Sequence, residues 1–578
     1  MNASKLTSLA AALAVLALTG CGDNDKDHGP VVAPLPPVQP ALPIPQLAPA
    51  VGTTLGACEA LAARISYPEA VITGATSVPA GTLSIAGKPI GQHCLVTGQL
   101  ARRTSPVDGQ AYAIGFEMRL PVNWNGRFFY QANGGVDGSV VTATGPVGGG
   151  GPLDNALNQG FAVISSDAGH QAPTPFFGID PQARLDYGYQ AVGKLTPMAK
   201  NIIQTAYGKG PDRSYIGGCS NGGRHAMVAA ARYADQYDGY LVGNPGYRLP
   251  LAAIANIAGG KTYAALASTP GDLSTGFTTA ERLLVSNAVL GKCDPLDGAA
   301  DGLIQDTGAC QRAFDLSRDV PTCSATRDGS CLSAEQKTKI AGLFTGAKTE
   351  SGATIYTSFP WDAGLATNGW ASWKFGAPID RDSGAAAFIW SVPPSDRATF
   401  NGREFVLNAN LDALLARINA TNATYPENAM SFMTPPNASK LSTLKNRGAK
   451  MVVYHGTSDP IFSSDDTTTW YEQLRAANGS DASNFARFFR VPGMNHCSGG
   501  PALEQFDMLT PLVNWVEKGQ APDSVTASAR GAGNAGGVNA DLPATWAANR
   551  TRPLCAYPKL ARYKGSGSLE DAASFSCQ

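Results

Sequence analysis

A serine between glycines, in Gly218-Cys219-Ser220-Asn221-Gly222, is the residue best placed in this sequence for nucleophilic chemistry. The preceding run, RSYIGG, favours a short β-strand, and the following run, GGRHAMVAAARYADQY, has the apolar spacing of a helix. A strand, a tight glycine turn and a helix form the nucleophile elbow of α/β-hydrolases. Ser220 is therefore predicted to be a nucleophile, and the Asn221 N–H an oxyanion donor. The alternative is a glycine turn with an incidental serine.

A serine nucleophile needs a general base, and the chain has six histidines. In α/β-hydrolases the triad acid and then the histidine follow the serine along the chain. Only His496 has both a late strand-like run, FFRVPG, behind it and a suitable acid before it. That acid is predicted to be Asp459, after the apolar run KMVVYHG. The competing carboxylates, Asp465 and Asp466, are interpreted as helix-capping residues, and His455 as a structural residue that orients the loop of Asp459.

Beyond Cys21, ten cysteines remain, an even number that is typical of disulfide-bonded exported proteins. The sequence alone does not fix their connectivity. The predicted nucleophile and base must approach to about 3 Å, and Cys219 and Cys497 adjoin them, so we hypothesise that these two cysteines form a disulfide. Two independent buried thiols are the alternative. Pairing neighbours in sequence suggests the other four bonds, Cys58–Cys94, Cys293–Cys310, Cys323–Cys331 and Cys555–Cys577.

The first 21 residues have the anatomy of a lipoprotein-type signal peptide, with Lys5, an apolar run over 9–18 and the sequence Leu-Thr-Gly-Cys. This ending resembles the bacterial lipobox, so Cys21 is predicted to be lipidated, and Gly22 after it favours the outer membrane. An ordinary secretory signal is the alternative, and either signal exports the protein to the periplasm or the extracellular space. Residues 22–50 become proline-rich and are predicted to form an extended linker.

The composition indicates a globular protein without a polyanionic partner. Of 578 residues 43% are hydrophobic, and the net charge is −1, so nothing indicates nucleic-acid binding. We expect a monomer that contacts a membrane only through its N-terminal lipid anchor, and no redox or organic cofactor.

Several stretches together resemble the tannase and feruloyl esterase family, from about Cys58 to the C-terminus. They include WNGRFFYQANGGVDGS, SYIGGCSNGGRHAM, CDPLDGAADGLI and VPGMNHCSGGPALEQFDMLTPLVNWVEKGQAPD. The resemblance implies an α/β fold, namely an α/β-hydrolase core interrupted by a large lid. The predicted boundaries are 51–250 and 447–578 for the two parts of the core and 251–446 for the lid. The resemblance also implies all five disulfides given above.

The same resemblance implies further site residues. The second oxyanion donor would be Gly135, in the glycine-rich loop after the RFF strand. Trp373 would stack on an aromatic acid ring, and the residues beside it would be Leu249, Ile461 and Phe462. The lid would carry a structural calcium ion, held by the carboxylates of Asp294, Asp297 and Asp301 and the carbonyls of Ala299 and Leu303. Closely spaced carboxylates between glycines are a suitable oxygen site for calcium, although the bare pattern also fits two Asp-Gly turns in a polar loop.

The implied function is that of an exported serine carboxylesterase that hydrolyses aromatic acid esters through an acyl-enzyme. Within the family the sequence most resembles members that release terephthalate and ethylene glycol from mono(2-hydroxyethyl) terephthalate. Those members have a longer loop after the pocket tryptophan, with an arginine for the free carboxylate and a phenylalanine over the ring. Here the loop KFGAPIDRDSGAAAFIWSVPP is shorter, and its only cations are Lys374 and Arg381. The alternatives are a feruloyl esterase or tannase acting on phenolic acid esters, an acyltransferase, and a non-catalytic lipid-anchored binding protein.

Overall fold

Nine strands form one mixed sheet in the computed structural model of the protein, which describes residues 44–578. In chain order the strands are β1 (Ala70–Val78), β2 (His93–Thr104), β3 (Ala111–Pro121), β4 (Arg127–Gln131), β5 (Ala162–Ser166), β6 (Arg213–Cys219), β7 (Gly239–Gly243), β8 (Lys450–Gly456) and β9 (Ala486–Val491). In space the order is β9-β8-β7-β6-β4-β5-β3-β2-β1. Strands β4 to β9 are parallel to one another, whereas β1, β2 and β3 join the sheet as antiparallel neighbours. The predicted α/β class is confirmed.

The sheet is buried on both faces, because apolar side chains alternate between two hydrophobic clusters. On β4, Phe128 belongs to one cluster and Phe129 to the other, and on β8 Met451 and Val452 divide in the same way. Helices cover the two faces, as the continuous apolar runs of parallel strands require. The helices of eight residues or more are α1 (Ala191–Tyr207), α2 (Asn221–Arg232), α3 (Leu249–Leu266), α4 (Thr279–Cys293), α5 (Ala334–Thr345), α6 (Leu411–Ile418), α7 (Ser464–Ala477) and α8 (Leu509–Lys518).

The shorter elements lie mostly at the surface of this framework. Paired short strands are Thr53–Thr54 with Asn123–Trp124, Ser84–Ile85 with Lys88–Pro89, Ser524–Ser528 with Thr551–Cys555, and Ala561–Tyr563 with Phe575–Cys577. Short α-helices are Leu61–Arg64, Pro181–Leu185, Thr307–Ala313, Leu316–Asp319, Asn368–Ala371, Gly402–Leu407, Ala429–Met433 and Ser442–Asn446.

A long helical stretch separates β7 from β8, and within it the structure has no strand of the central sheet. Part of this stretch builds a hydrophobic cluster of its own, whose buried members all lie between Tyr263 and Trp370. Capping boxes start two of its helices, Thr278 with Glu281 at α4 and Ser333 with Gln336 at α5. The predicted lid, 251–446, falls in this stretch, and its boundaries stay a prediction.

The folded unit begins earlier than the predicted linker boundary. Residues 44–50 belong to the same compact unit as the rest of the described chain. The Gln46 side chain donates to the Val516 carbonyl (2.8 Å), and the Ala50 N–H donates to the Glu517 carboxylate (2.9 Å). The predicted signal peptide, Cys21 and linker residues 22–43 lie outside the described residues. Within residues 44–578, no helix is both long and apolar enough to span a membrane.

All five predicted disulfides are present. Four close short loops, with sequence separations of 8 to 36 residues. The fifth, Cys219–Cys497, joins positions 278 residues apart, with a Cα–Cα distance of 6.0 Å. The short bonds therefore constrain local loops, whereas the long one connects the two parts of the hydrolase core.

Candidate active site

Ser220 lies at the tip of a sharp turn between β6 and α2. Its φ and ψ are 65° and −129°, a conformation that non-glycine residues seldom adopt and that costs about 1–3 kcal/mol. The turn fits only because its flanking glycines lack side chains: a Cβ at Gly218 or Gly222 would lie 2.1 or 2.2 Å from the Ala132 carbonyl oxygen. The Ser220 N–H donates to the Gly243 carbonyl (3.0 Å), which fixes the turn to the neighbouring strand.

The three residues predicted as a catalytic triad lie together at the carboxyl edge of the parallel strands. Ser220 follows β6, Asp459 follows β8 and His496 follows β9, so the sheet positions all three. The Ser220 Oγ lies 2.8 Å from His496 Nε2, and His496 Nδ1 lies 2.8 Å from Asp459 Oδ2. In this arrangement the imidazole can take the serine proton while the carboxylate orients it.

Asp459 is buried but held as an anion. Burial alone would raise the pKa of its carboxyl group, but the charge and hydrogen bond of His496 outweigh burial and keep that pKa well below the ordinary range. The Asn244 amide donates to Oδ2 (2.7 Å), and the N–H groups of Ile461 and Phe462 donate to Oδ1 (2.9 and 3.0 Å). The carboxylate is thus ionised and fixed before substrate binds.

His455 holds the loop that carries Asp459, as interpreted from the sequence. Its two ring nitrogens lie 2.8 Å from Thr467 Oγ1 and 2.8 Å from the Phe462 carbonyl oxygen. It also lies 3.3 Å from Asp459 Oδ2.

The two competing carboxylates do not belong to the triad, but the prediction that they cap a helix is wrong. Ser463 is the N-cap of α7, because its hydroxyl accepts the N–H of Asp465. Asp465 instead accepts a hydrogen bond from Ser358 (2.7 Å), and Asp466 pairs with Arg248.

The loop after β4 brings Gly134 and Gly135 beside the nucleophile. A Cβ at Gly134 would lie 3.6 Å from the Ser220 Cβ. Gly135 has a φ of 66° and lines the same cavity as Ser220 and Asn221. The Tyr187 hydroxyl donates to the Gly135 carbonyl (3.2 Å), and the Gly135 N–H donates to no described residue. Gly135 and Asn221 thus flank Ser220, where the two oxyanion donors were predicted.

A buried polar network connects this loop to the first turn of α2. Asp137 Oδ2 accepts from the Asn221 amide (2.9 Å) and lies 3.0 Å from His225 Nε2. Arg224 donates to the Asn221 side-chain oxygen and to the carbonyls of Tyr187 and Gly188. Burial raises the pKa of Asp137 and lowers the pKa of His225, so burial disfavours the charged form of each. The sequence did not indicate this network.

The cavity beside Ser220, here called the acyl cavity, contains all four residues predicted to form the substrate pocket. Leu249, Trp373, Ile461 and Phe462 line it together with the nucleophile. Trp373 and Phe462 also pack edge-on against the catalytic histidine, with ring centroids 4.7 and 5.2 Å from that of His496. A flat ring in this cavity would therefore lie next to both Ser220 and His496.

Arg381, Asp382 and Trp390 are three lining residues of the acyl cavity that carry polar groups. The exposed Arg381 guanidinium lies 4.4 Å from the Trp373 ring centroid and forms no hydrogen bond or ion pair with any residue in 44–578. The buried Trp390 Nε1–H likewise has no acceptor within the described part of the chain. Asp382 accepts from the Asn256 amide (2.8 Å), and burial raises the pKa of its carboxyl group to about 7.

The sequence indicates Arg381 as a candidate cation of the site but does not indicate Asp382 or Trp390. Asp382 lies on the π-helical turn Pro378–Asp382, and Trp390 lies on the π-helical turn Ala385–Trp390. Such widened turns often occur at functional sites, but apolar periodicity does not reveal them.

Lys374, the other cation considered from the sequence, does not line the acyl cavity. It borders a separate small cavity behind Asp459. Its ammonium lies 4.3 Å from the Phe359 ring centroid and 3.4 Å from Asn256 Oδ1. Burial lowers its pKa to about 8, although the charges of Asp459 and Asp382 oppose this shift. The structure therefore separates the two cations and leaves Arg381 as the one beside the predicted stacking residue.

The predicted calcium loop, 294–303, fits a cation in part. Burial raises the pKa of Asp294 and, with the nearby carboxylates, that of Asp297 to about 7. The carbonyls of Ala299 and Leu303 accept no hydrogen bond from the described residues, whereas both carboxylate oxygens of Asp294 accept backbone N–H groups, from Asp301 (3.0 Å) and Gly302 (2.8 Å). The Asp301 carboxylate instead pairs with two arginines, Arg550 and Arg552. Over 44–578, no three His, Cys, Asp or Glu side chains gather as a metal site.

Known proteins resemble this chain over most of its length. A family model described as "Tannase and feruloyl esterase" matches residues 94–578. A mono(2-hydroxyethyl) terephthalate hydrolase from Piscinibacter sakaiensis is 39% identical over 537 residues, which is 86% of each chain. A probable feruloyl esterase B-1 from Neosartorya fischeri is 28% identical over 484 residues, covering 80% of this chain and 82% of the relative.

Solved structures share the fold. The crystal structure of feruloyl esterase B from Aspergillus oryzae superimposes with a TM-score of 0.71 at 25% identity, over 90% of this chain and 99% of that one. Tannin acyl hydrolase from Aspergillus niger gives a TM-score of 0.64 at 18% identity, over 90% and 94% of the two chains. The predicted hydrolase core is confirmed by these likenesses.

Proposed function

The chain belongs to the tannase and feruloyl esterase family and is a carboxylic ester hydrolase, and from that premise we propose that it hydrolyses esters of aromatic acids that carry a second, free carboxylate. The model substrate is mono(2-hydroxyethyl) terephthalate, on which the 39% identical relative acts by name. The products would be terephthalate and ethylene glycol.

The reaction follows from the positions of the polar groups. The Ser220 hydroxyl oxygen attacks the ester carbonyl as His496 Nε2 takes its proton, and the Asp459 carboxylate stabilises the imidazolium. The N–H groups of Gly135 and Asn221 bind the oxyanion. His496 then gives the proton to the departing alcohol, which leaves an acyl-enzyme on Ser220. Water, activated by His496, hydrolyses that ester and releases the acid.

One observation carries the preference for an anionic acid. Arg381 lies beside the stacking residue Trp373 and has no carboxylate partner among the described residues. Trp390 lines the same cavity, and its buried N–H has no acceptor among residues 44–578. A carboxylate on the far end of the acyl ring would pair with Arg381.

The experiment compares kcat/KM for the terephthalate monoester, its neutral methyl diester, methyl ferulate and a gallate ester. The monoester should be preferred, and Arg381→Gln should raise its KM roughly fivefold, about 1 kcal/mol for a solvent-exposed ion pair. The KM for the neutral diester should stay within twofold. Arg397→Gln is the matched control, because Arg397 is also exposed and stacks on an aromatic ring, that of Phe176, but does not line the acyl cavity.

Each contrary result has a definite meaning. Equal kcat/KM for monoester and diester would refute the carboxylate preference, and a preference for methyl ferulate or the gallate ester would assign the chain to feruloyl esterases or tannases. Failure of a fluorophosphonate probe to label Ser220 in the folded protein would favour a binding protein without catalysis. Transfer of the acyl group to an added alcohol at the expense of hydrolysis would indicate an acyltransferase.

Two further parts of the proposal concern cofactor and location. A calcium ion held by Asp294, Asp297 and the carbonyls of Ala299 and Leu303, beside the Asp301–arginine pair, would offset the charge of a buried acidic loop. The five disulfides are typical of an oxidising compartment, which supports an exported protein. Lipidation of Cys21 stays a prediction.

A further inference from the structure

An open groove lies on the other side of the glycine loop from the acyl cavity. Its walls come from three segments, 131–146, 152–154 and 218–219, with Ile85 at one side. The volume of this groove is about 420 Å³. We call it the alcohol groove, for the reason argued below.

The alcohol groove and the acyl cavity lie next to each other beside the nucleophile. Gly134 and Cys219 line the groove, whereas the residues that follow each of them, Gly135 and Ser220, line the acyl cavity. Gly134 is exposed, and a Cβ on it would lie 3.6 Å from the Ser220 Cβ and 4.0 Å from its Oγ. The groove therefore begins one residue away from both the nucleophile and the predicted oxyanion donor.

The lining of the groove is apolar with uncharged hydrogen-bonding groups. Ser139, Thr142 and Thr144 line it, and their hydroxyls form no hydrogen bond with any side chain or backbone group of residues 44–578. No lysine or arginine lines it, and Asp154 is its only partly exposed carboxylate.

Exposed apolar side chains are concentrated at the same place. Val140, Val141 and Leu153 are 38, 48 and 36% exposed, and they make up three of the nine large apolar residues that the described chain exposes. Val141 lines the groove, and the other two lie beside lining residues. Apolar surface bordered by polar groups is typical of a ligand-binding groove.

From these observations we infer that the groove binds the alcohol part of the ester, and that this alcohol is uncharged and larger than ethylene glycol. The inference rests on the proposed acyl-enzyme reaction. In the tetrahedral intermediate the acyl ring occupies the acyl cavity and the oxyanion faces Gly135 and Asn221, so the alcohol must leave along the remaining open side. A two-carbon diol would occupy only a small part of the groove. The free hydroxyls and the absence of a cation favour a neutral partner with both hydroxyl and apolar surface.

The test is a series of terephthalate monoesters that differ only in the alcohol: ethylene glycol, 1,6-hexanediol, glucose and 6-hydroxyhexanoate. All four form the same acyl-enzyme, so differences in kcat/KM report how the alcohol is bound. We expect the hexanediol or the glucose ester to exceed the ethylene glycol ester by fivefold or more, and the relative rates of these two distinguish a chain from a sugar ring. The anionic 6-hydroxyhexanoate ester should fall below the hexanediol ester, because Asp154 repels it.

Val141→Trp fills the groove from its rim and Val71→Trp is the control, since Val71 is also exposed (41%) but does not line the groove. Val141→Trp should lower kcat/KM for the long uncharged alcohols at least fivefold relative to kcat/KM for the ethylene glycol ester, and Val71→Trp should leave this ratio unchanged. Equal rates for all four wild-type substrates, or an equal effect of Val141→Trp on short and long alcohols, would overturn the inference. Hydrolysis of none of the four esters would instead refute the proposed function.

Discussion

At the scale of single residues, Asp382 decides the charge of the acyl cavity. Burial raises the pKa of its carboxyl group to about 7, so it is largely neutral at pH 6 and ionised at pH 8.5. Ionisation cancels part of the field of Arg381 next to it. We therefore expect KM for the terephthalate monoester to rise roughly fivefold between these pH values, about 1 kcal/mol for a charge at close range. KM for the neutral methyl diester should change little, and the measurement is KM against pH for both substrates.

The control for this prediction is Asp382→Asn, which keeps the shape of the side chain and removes its titration. In this variant the ratio of the two KM values should depend on pH more weakly than in the wild-type protein, because only the Lys374 ammonium still titrates in this range. A pH-independent ratio of the two KM values in the wild-type protein would contradict the prediction. Lys374 loses its charge with a pKa of about 8, which acts in the same direction and so cannot mask the effect.

The sequence predicted individual residues where a motif defined them. Ser220, Asp459 and His496 could be found because a glycine turn, two strand ends and two adjoining cysteines restrict the choices. Asp382, Trp390 and Asp137 could not be found, because their importance depends on which cavity or helix they meet in the folded protein. Neither Asp382 nor Trp390 has a distinctive neighbour in sequence.

At the scale of elements, the loop after β4 and the first turn of α2 must keep a fixed distance, since each carries one predicted oxyanion donor. Asp137 joins them by accepting from Asn221 (2.9 Å) and pairing with His225 (3.0 Å). Asp137→Asn keeps the volume but leaves a buried donor without an acceptor, at about 1–3 kcal/mol. We expect kcat to fall roughly tenfold or more, because small displacements of catalytic groups are costly. KM should stay within twofold, and the rate of fluorophosphonate labelling of Ser220 should fall in parallel.

Asp167→Asn is the matched control for this variant. Asp167 is also a buried carboxylate after a strand of the sheet, with a pKa raised to about 7 by burial, but its partners are the N–H groups of Gly115 and Gly169. It should lower thermal stability without lowering kcat in the same proportion. If both variants reduce kcat equally at temperatures where both are folded, Asp137 has no special positioning role.

The elements themselves could be predicted unevenly. The strand, turn and helix around Ser220 have a strong local pattern, and the structure has them as β6 and α2. The widened helical turns over 372–390 have no such pattern, because π-helical geometry is imposed by tertiary packing. The predicted linker extends to residue 50, but the folded unit already begins at residue 44. Proline-rich composition predicts a chain without helix or strand, as residues 44–50 are, but it does not reveal that Gln46 and Ala50 are hydrogen-bonded to α8.

At the scale of the whole molecule, the acidic loop 294–303 connects the helical stretch to the C-terminal strands. Asp301 pairs with Arg550 (2.9 Å) and with Arg552 on the strand Thr551–Cys555. If calcium binds beside this pair, its removal should loosen both regions together. We expect EDTA to lower the Tm by about 2–5 °C and added calcium to restore it, as for any ligand that binds only the folded state. The measurement is differential scanning calorimetry.

Asp297→Asn is the control variant for calcium binding, because the Asp297 carboxylate forms no ion pair with an arginine of residues 44–578. The Tm of this variant should respond to EDTA much less than that of the wild-type protein, while activity at 25 °C is kept. A wild-type Tm that is the same with EDTA and with excess calcium would refute calcium binding at this loop.

The Cys219–Cys497 bond has a consequence for when the enzyme can work. It joins the residue before the nucleophile to the residue after the base, across 278 positions of the chain. A newly made chain in a reducing cytosol would lack this bond, so only the sheet and non-covalent contacts would hold its nucleophile and base together. Oxidation after export would then act as a maturation step that requires no protease and no propeptide. The cell would be protected from an active esterase until the enzyme reaches the compartment where its substrates arrive.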